Sequence, residues 1–248
     1  MAQEQRHTYP VSLESLGYSQ SGNVRDTNQD SFLNSAEHRV WAVGDGVGSH
    51  EASGAASKMI MALLMRTPQP ESFSSHIANV THILEEANSL LINQQLTTGK
   101  MASSTIVTLL VHGDMAACLW AGDSRCYILR KGILYQCTKD HSLRQEKIDH
   151  GDLTVFEAQR MVKGNIITNA VGVKPKLTLG VETFSIRAGD RFLLCTDGLT
   201  NLLSPDALMT YLSRRSAKEA VDGIAEALAP MRQPDNITFV IMFISRSD

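Results

Sequence analysis

The chain has 248 residues and a formal net charge of −3 at pH 7. This length fits one large domain or two small ones and is sufficient for a sizeable core. The slight acidic excess, with lysines and arginines scattered along the chain, argues against nucleic acid or an anionic membrane as a partner. The polar start, MAQEQRHTYP, lacks the apolar segment of a signal peptide, and no apolar run is long enough to span a bilayer. We therefore expect a cytoplasmic protein.

The predicted elements begin with strands and helices and continue with a strand-rich middle. In chain order, we predict strands at 13–20 and 40–43, helices at about 51–66 and 74–95, strands at 105–111, 116–121, 125–130 and 133–137, a short helix at about 154–161, strands at 182–186 and 191–196, helices at about 205–213 and 217–228, and a strand at 237–244. Helical spacing of apolar residues and short turns between the middle strands support these assignments. Short turns favour antiparallel neighbours.

This order predicts one α+β domain over 13–244, preceded by a polar tail at 1–12. We expect two packed sheets with a helical layer outside each. The polar, less regular stretch from 140 to 165 is long for a simple connection, and long loops in compact domains are often functional.

The four cysteines of the chain exclude two kinds of chemistry. They form no CxxC pair, and none is followed by arginine at the spacing of a Cys-x5-Arg phosphate loop. A structural zinc site and a cysteine nucleophile are therefore disfavoured. We expect reduced thiols within the sheets.

Four aspartates lie beside glycine, serine or asparagine where apolar strand-like runs end or begin: Asp45, Asp123, Asp197 and Asp235. Any one of them could be an ordinary turn residue. Carboxylates brought together from strand ends form sites for hard cations such as Mg²⁺ and Mn²⁺. If the four converge, the sequence predicts a metal-dependent hydrolase.

Other motifs are weaker or missing. The run Gly44-Asp45-Gly46-Val47-Gly48 places an aspartate where a dinucleotide loop needs bare backbone. Residues 26–37 imitate an EF-hand spacing, but Ser31 replaces its essential glycine. The sequence contains no GxxxxGK[ST], HExxH or GxSxG motif.

Eight short segments, in order, carry a family resemblance. They are 22–30 (GNVRDTNQD), 43–48 (VGDGVG), 103–105 (SST), 121–127 (AGDSRCY), 140–142 (DHS), 167–172 (ITNAVG), 193–199 (LLCTDGL) and 235–238 (DNIT). Together they cover about residues 13–244. The chain resembles the metal-dependent serine/threonine phosphatases of the PP2C (PPM) family, in their compact bacterial form.

The resemblance implies a central antiparallel β-sandwich flanked on both faces by helix pairs. It also implies a site with two or three divalent cations, Mn²⁺ or Mg²⁺. Asp45 would bridge two ions, with the Gly46 carbonyl on one of them, and Asp197 and Asp235 would complete the other. Asp123, with Asp197, would form a third and weaker site.

The resemblance assigns further residues to the substrate and to support of the ions. Arg25 would hold the substrate phosphate, and its planar, permanently charged guanidinium suits that role. Three residues would act through waters or hydrogen bonds: Gln29, Asp30 and Asn236. His141 could be catalytic, but we favour a packed turn residue.

The implied activity is hydrolysis of phosphoserine and phosphothreonine by direct attack of a metal-bridging water. Phosphorylated proteins would be the substrates, including a eukaryotic-like Ser/Thr kinase or its targets, and the protein would be a monomer. The alternative is a catalytically silent, phosphoprotein-binding regulator of the same fold. Silent relatives usually lose metal aspartates, so the retained set favours an enzyme.

The chain departs from the family pattern in two places. Val47 stands where many eukaryotic members carry a histidine proposed as general acid, which leaves protonation of the leaving group open; His50 is a poor substitute. Ser103 stands where glycine is common. The flap, at about 142–165, carries basic residues that could contact substrate or could be solvated surface charges: Arg144, Lys147, Arg160 and Lys163.

Overall fold

The computed structural model describes residues 11–48, 50–161 and 166–246. Two five-stranded sheets dominate it. The first sheet has the strand order β1-β12-β11-β8-β9, and the second has the order β10-β7-β6-β3-β2. Neighbouring strands are antiparallel throughout both sheets. The strands are β1 (Val11–Gln20), β2 (Ser31–Ser35), β3 (Val40–Gly44), β4 (Gly46–Gly48), β5 (Ala102–Ser104), β6 (Ile106–His112), β7 (Met115–Ala121), β8 (Arg125–Arg130), β9 (Ile133–Gln136), β10 (Gly180–Ser185), β11 (Arg191–Cys195) and β12 (Ile237–Arg246).

Seven helices accompany the strands within the described ranges. They are α1 (His50–Leu64), α2 (Phe73–Thr98), α3 (Leu143–Asp149), α4 (Val155–Met161), α5 (Asp197–Thr200), α6 (Pro205–Leu212) and α7 (Ala217–Leu228). Serine side chains cap the N-termini of several of these helices. Ser72 accepts the Ser75 N–H at 3.1 Å, and Ser216 accepts the Glu219 N–H at 3.1 Å. Such caps satisfy backbone donors that a helix leaves free at its first turn.

The layers follow from the two faces of each sheet. In β12, Phe239 and Ile241 pack with the α6–α7 layer, whereas Val240 and Met242 pack between the two sheets. The second sheet packs its other face against α1 and α2 through residues such as Ile60 and Leu84. Because side chains alternate along a strand, a strand covered on both faces is apolar at nearly every position. The predicted α+β fold with antiparallel sheets is confirmed.

The long, apolar elements are predicted well from the sequence. The limits of β8 and α7 agree with the prediction, and most other predicted elements differ by one to three residues at their ends. β1 begins at Val11, which pairs with Arg246, so the first sheet extends beyond the predicted domain limits of 13 and 244. Residues 1–10 of the predicted tail lie outside the described ranges.

Five short elements are absent from the prediction: β2, β4, β5, α3 and α5. They have three to seven residues each, and none contains an apolar run like those of the equally short strands β3 and β11. β4 and β5 pair with each other, from Gly46 opposite Ser104 to Gly48 opposite Ala102, and Ser104 also forms an isolated antiparallel bridge with Val171. These small elements border the predicted site.

The cysteines agree with the prediction of reduced thiols. All four are unpaired, and three of them are buried in strands. No helix in the described part of the chain has the length and apolar character needed to cross a membrane.

Candidate active site

Asp45 lies in the single-residue gap between β3 and β4. Thr105, the residue before β6, makes two hydrogen bonds to the Asp45 backbone. The Asp45 N–H donates to Thr105 Oγ1 at 2.9 Å, and the Thr105 N–H donates to the Asp45 carbonyl at 2.8 Å. Ser104 Oγ donates to the same carbonyl at 2.9 Å. The next residue, Gly46, has no room for a side chain, because a Cβ there would collide with the Ser53 carbonyl. The sequence therefore fixes the position of Asp45 through its backbone.

Asp197 and Asp235 lie at the matching ends of two paired strands. Asp197 follows β11 and begins α5, and Asp235 precedes β12. Just inside the pair, the Thr196 N–H donates to the Thr238 carbonyl at 2.9 Å, and the Thr238 N–H donates to Thr196 Oγ1 at 3.1 Å. Antiparallel pairing thus brings two aspartates that are far apart in sequence to one end of the first sheet.

Asn236 fixes the loop that precedes β2. Its Oδ1 accepts the Gln29 N–H at 2.9 Å, and its Nδ2 donates to the carbonyls of Ser21 at 3.0 Å and Thr27 at 2.9 Å. The Gln29 carbonyl in turn accepts the Gly46 N–H at 3.2 Å. Asn236 and Gln29 are therefore connected to each other and to Gly46 through this loop.

Arg25 lies on the same loop and pairs with Asp235. Its Nε is 3.2 Å from Asp235 Oδ1, and its Nη2 donates to Oδ2 at 3.3 Å. The arginine side chain is 49% exposed, so the fork of the guanidinium lies at the rim of the site. This two-point contact is the geometry in which arginine also binds a phosphate.

Asp30 is a buried carboxylate near the site, with 5% of its surface exposed. Thr196 Oγ1 donates to its Oδ2 at 2.9 Å, whereas Oδ1 has no hydrogen-bond donor among the described residues. Burial raises the pKa of Asp30 to about 7, and repulsion from Asp197 adds to this effect. The hydrogen bonds from Thr196 and Thr238 oppose the rise.

Asp123 lies in the turn that connects β7, in the second sheet, with β8, in the first. It is 4% exposed, and burial raises its pKa to about 7, with further contributions from Asp197 and Asp140. The Gly122 N–H donates to His141 Nδ1 at 3.2 Å, and the His141 N–H donates to the Gly122 carbonyl at 2.9 Å. His141 is therefore the packed turn residue that the sequence favours.

The predicted carboxylates influence one another. Burial raises the pKa of Asp45 well above its usual value, and four neighbouring carboxylates raise it further: Asp30, Asp197, Asp235 and Asp123. Folding thus gathers all the predicted aspartates into one negatively charged region. No group of three or more His, Cys, Asp or Glu side chains in the described ranges forms a metal cage by itself.

The flap is closed at its base. The Leu143 N–H donates to the Ile166 carbonyl at 2.9 Å, and Ser142 bridges to Ile167. Of the basic residues considered for substrate contact, Lys147 pairs with Asp152 at 2.8 Å and Arg160 lies over the Phe156 ring. Lys163 lies outside the described residues.

Comparison with known proteins decides the family. The family model described as Protein phosphatase 2C matches residues 20–231. The chain belongs to the protein phosphatase 2C family.

Proteins similar to this phosphatase 2C chain include bacterial serine/threonine phosphatases. The serine/threonine protein phosphatase PstP of Mycobacterium tuberculosis is 32% identical over 228 residues, which are 90% of this chain and 43% of that protein. The chain therefore spans less than half of the length of this curated relative. The solved structure of PppA, a key regulatory component of T6SS in Pseudomonas aeruginosa, is 34% identical with a TM-score of 0.85, covering 94% of this chain and 99% of that one. The catalytic domain of PstP in complex with 2 manganese ions is 29% identical with a TM-score of 0.82, covering 95% and 99%.

Several residues of the site were not assigned a role from sequence: Thr196, Ser104, Thr105 and Ser124. Each is a hydroxyl residue that holds a backbone or another side chain next to an aspartate. Their only sequence signal is adjacency to the aspartate segments or membership of the Ser103-Ser104-Thr105 run. That signal places these residues near the aspartates but does not predict which atoms they contact.

The raised pKa values predict how stability depends on pH. The folded protein holds protons on Asp30 and Asp123 up to about pH 7, whereas the unfolded chain releases them near pH 4. The stabilisation that arises from protonation of these two carboxyls is fully present below pH 4 and is lost as the pH rises through 7. We expect the Tm of chelator-treated protein to fall by about 5 °C or more between pH 5.5 and pH 8 in calorimetry.

Asp30→Asn is the matched variant, because its amide carries no charge yet can still accept from Thr196. Its Tm should fall less over the same pH range. An identical fall in the variant and the wild type would contradict the assignment of the effect to this carboxyl.

Proposed function

We propose that this chain is a divalent-metal-dependent phosphatase that acts on phosphoserine and phosphothreonine in proteins. The observation that carries the proposal is the gathering of Asp45, Asp123, Asp197 and Asp235 at one end of the sandwich, in a chain of the phosphatase 2C family. The manganese ions of the related PstP catalytic domain support the choice of cation.

The chemistry of the site fits divalent cations. The available donors are carboxylate and carbonyl oxygens, which Mg²⁺ and Mn²⁺ prefer. Burial raises the pKa of Asp45 and of Asp123, and repulsion from Asp197 raises both further, so a cation would relieve that repulsion. Mg²⁺ retains several waters and needs only one or two carboxylates, so a closed cage of side chains is not required.

The proposed ligands follow from these positions. The Asp45 carboxylate and the Gly46 carbonyl would hold one ion, and Asp45 with Asp197 and Asp235 would hold the second. Asp123 and Asp197 would hold a third, weaker ion. When bound, the ions supply a water of lowered pKa as nucleophile and neutralise charge on the phosphoryl group.

The chain's own residues position the substrate. Arg25 would turn its guanidinium fork from Asp235 to the phosphate oxygens, which it matches equally well. Asn236 and Gln29 keep the loop of Arg25 in register with Asp45. Val47 cannot donate a proton, and the side chain of His50 lies outside the described residues.

The silent-regulator alternative is not favoured, because the full carboxylate set and Arg25 are present. We propose phosphorylated proteins as substrates, including a eukaryotic-like Ser/Thr kinase or its targets, and a cytoplasmic monomer as the working form. The names of PstP and of other bacterial serine/threonine phosphatases among the relatives support this choice of substrate.

The central test is release of inorganic phosphate from phosphothreonine peptides with Mn²⁺, with Mg²⁺ and with chelator. We expect release with either metal and none with chelator, because the carboxylates alone cannot activate a water. Folded protein that releases no phosphate with either metal would overturn the proposal in favour of the silent regulator.

Asp45→Asn should lower kcat/KM by at least about 100-fold with Mn²⁺ present, because a neutral amide cannot bridge two ions. The variant should stay folded, since a source of repulsion is removed, and far-UV circular dichroism checks this. Asp114→Asn, in an exposed turn, is the matched control and should keep wild-type turnover. Near-normal turnover of Asp45→Asn would refute the bridging role.

Asp123→Asn should raise the Mn²⁺ concentration for half-maximal turnover by about tenfold or more, because a neutral amide is a weaker ligand. Binding of the two tighter ions, measured by calorimetry, should change little. If the metal dependence of turnover stays at the wild-type value, Asp123 does not belong to the site.

A further inference from the structure

Two buried hydroxyl residues connect the backbone of Asp45 with the turn of Asp123. Thr105 and Ser124 are 0% and 1% exposed, and their hydroxyl oxygens are 2.7 Å apart. Thr105 lies between β5 and β6, whereas Ser124 lies between Asp123 and β8. The hydroxyl pair therefore joins the second sheet to the turn that crosses into the first.

The hydrogen bond from the Asp45 N–H fixes Thr105 Oγ1 as the acceptor at one end of this chain of contacts. Thr105 Oγ1 accepts the Asp45 N–H at 2.9 Å, which uses one of its two lone pairs. One hydrogen and one lone pair remain for Ser124, so either hydroxyl can donate across the 2.7 Å contact. The result is a continuous line of hydrogen bonds from the Asp45 amide through Thr105 to Ser124. Such lines polarise each other in a buried setting.

The methyl group of Thr105 also packs against the turn at Gly122. Gly122 has φ +117, and a Cβ at this position would lie 2.6 Å from Thr105 Cβ and 2.7 Å from Cγ2. Thr105 thus contacts the turn at Gly122 by its methyl group and at Ser124 by its hydroxyl. A displacement of the Asp45 backbone reaches the residues on both sides of Asp123.

We propose that Thr105 and Ser124 are positioning residues that couple the Asp45 centre to the Asp123 site. This inference rests on the proposed function, in which both aspartates hold divalent cations. Occupation of one site then raises the affinity of the other, and the coupling is reciprocal because it is a difference in binding free energy. The two residues touch neither substrate nor ion, and they act through the positions of the aspartates.

The test measures Mn²⁺ binding by calorimetry, independently of turnover, on Thr105→Val, Ser124→Ala and the double variant. Ser124→Ala leaves the Asp45 contacts intact, so we expect wild-type affinity of the tight sites within about twofold and about tenfold weaker binding at the weak site. Thr105→Val should weaken both. The double variant should resemble Thr105→Val, because the line of hydrogen bonds is already broken.

Two further variants separate positioning from stability. Thr105→Ser keeps the hydroxyl and should restore most of the weak-site affinity, which also tests the coupling if Thr105→Val fails to fold. Thr108→Val is the matched control, since Thr108 is equally buried on β6 but its hydroxyl bonds to the Leu119 carbonyl at 3.2 Å. It should lower the Tm without changing any Mn²⁺ affinity.

The outcomes are distinguishable from failure of the proposed function. Wild-type Mn²⁺ affinities in Ser124→Ala and Thr105→Val, or strictly additive effects in the double variant, would overturn the coupling even if the wild type is an active phosphatase. Selective loss of the weak site in Ser124→Ala would support the coupling even if the wild type releases no phosphate.

Discussion

Burial of several negative charges in one place is the constraint on which the rest of this site depends. Asp45, Asp30 and Asp123 all have pKa values raised by burial and, in addition, by the negative charge of Asp197. Such repulsion opposes folding, so the carboxylates must lie on elements that are stable for other reasons. β3, β11 and β12 meet this need, because their apolar side chains pack on both faces of the two sheets.

Neutral groups do most of the positioning around these charges. Backbone amides, threonine hydroxyls and the Asn236 amide fix the loops next to the aspartates, and none of them cancels a negative charge. Two arginines lie nearby: Arg125 pairs with Asp140 at 2.6 Å, and Arg25 pairs with Asp235 at 3.2 Å at the exposed rim. This division keeps the negative potential available to cations while the geometry stays fixed.

The sequence predicts the strands and helices better than it predicts the side-chain contacts of the site. β12 is recognised by its continuous apolar run and α7 by its helical spacing of apolar residues, whereas β4 and α5 are too short to show either. The aspartates are recognised because each adjoins an apolar run. The Arg25–Asp235 pair joins residues 210 positions apart, and Thr105 resembles any other strand threonine. Such contacts depend on how the two sheets meet, which a local pattern does not contain.

The hydrogen bond at the base of the flap separates the flap from the rest of the site. Because the Leu143 N–H and the Ile166 carbonyl are joined, the ends of the flap stay together whatever the chain does between them. The entropic cost of a longer loop grows only slowly with its length. We therefore expect insertions and replacements there to leave the aspartates in place. The architecture is modular in this sense: the excursion and the carboxylate frame can vary independently of each other.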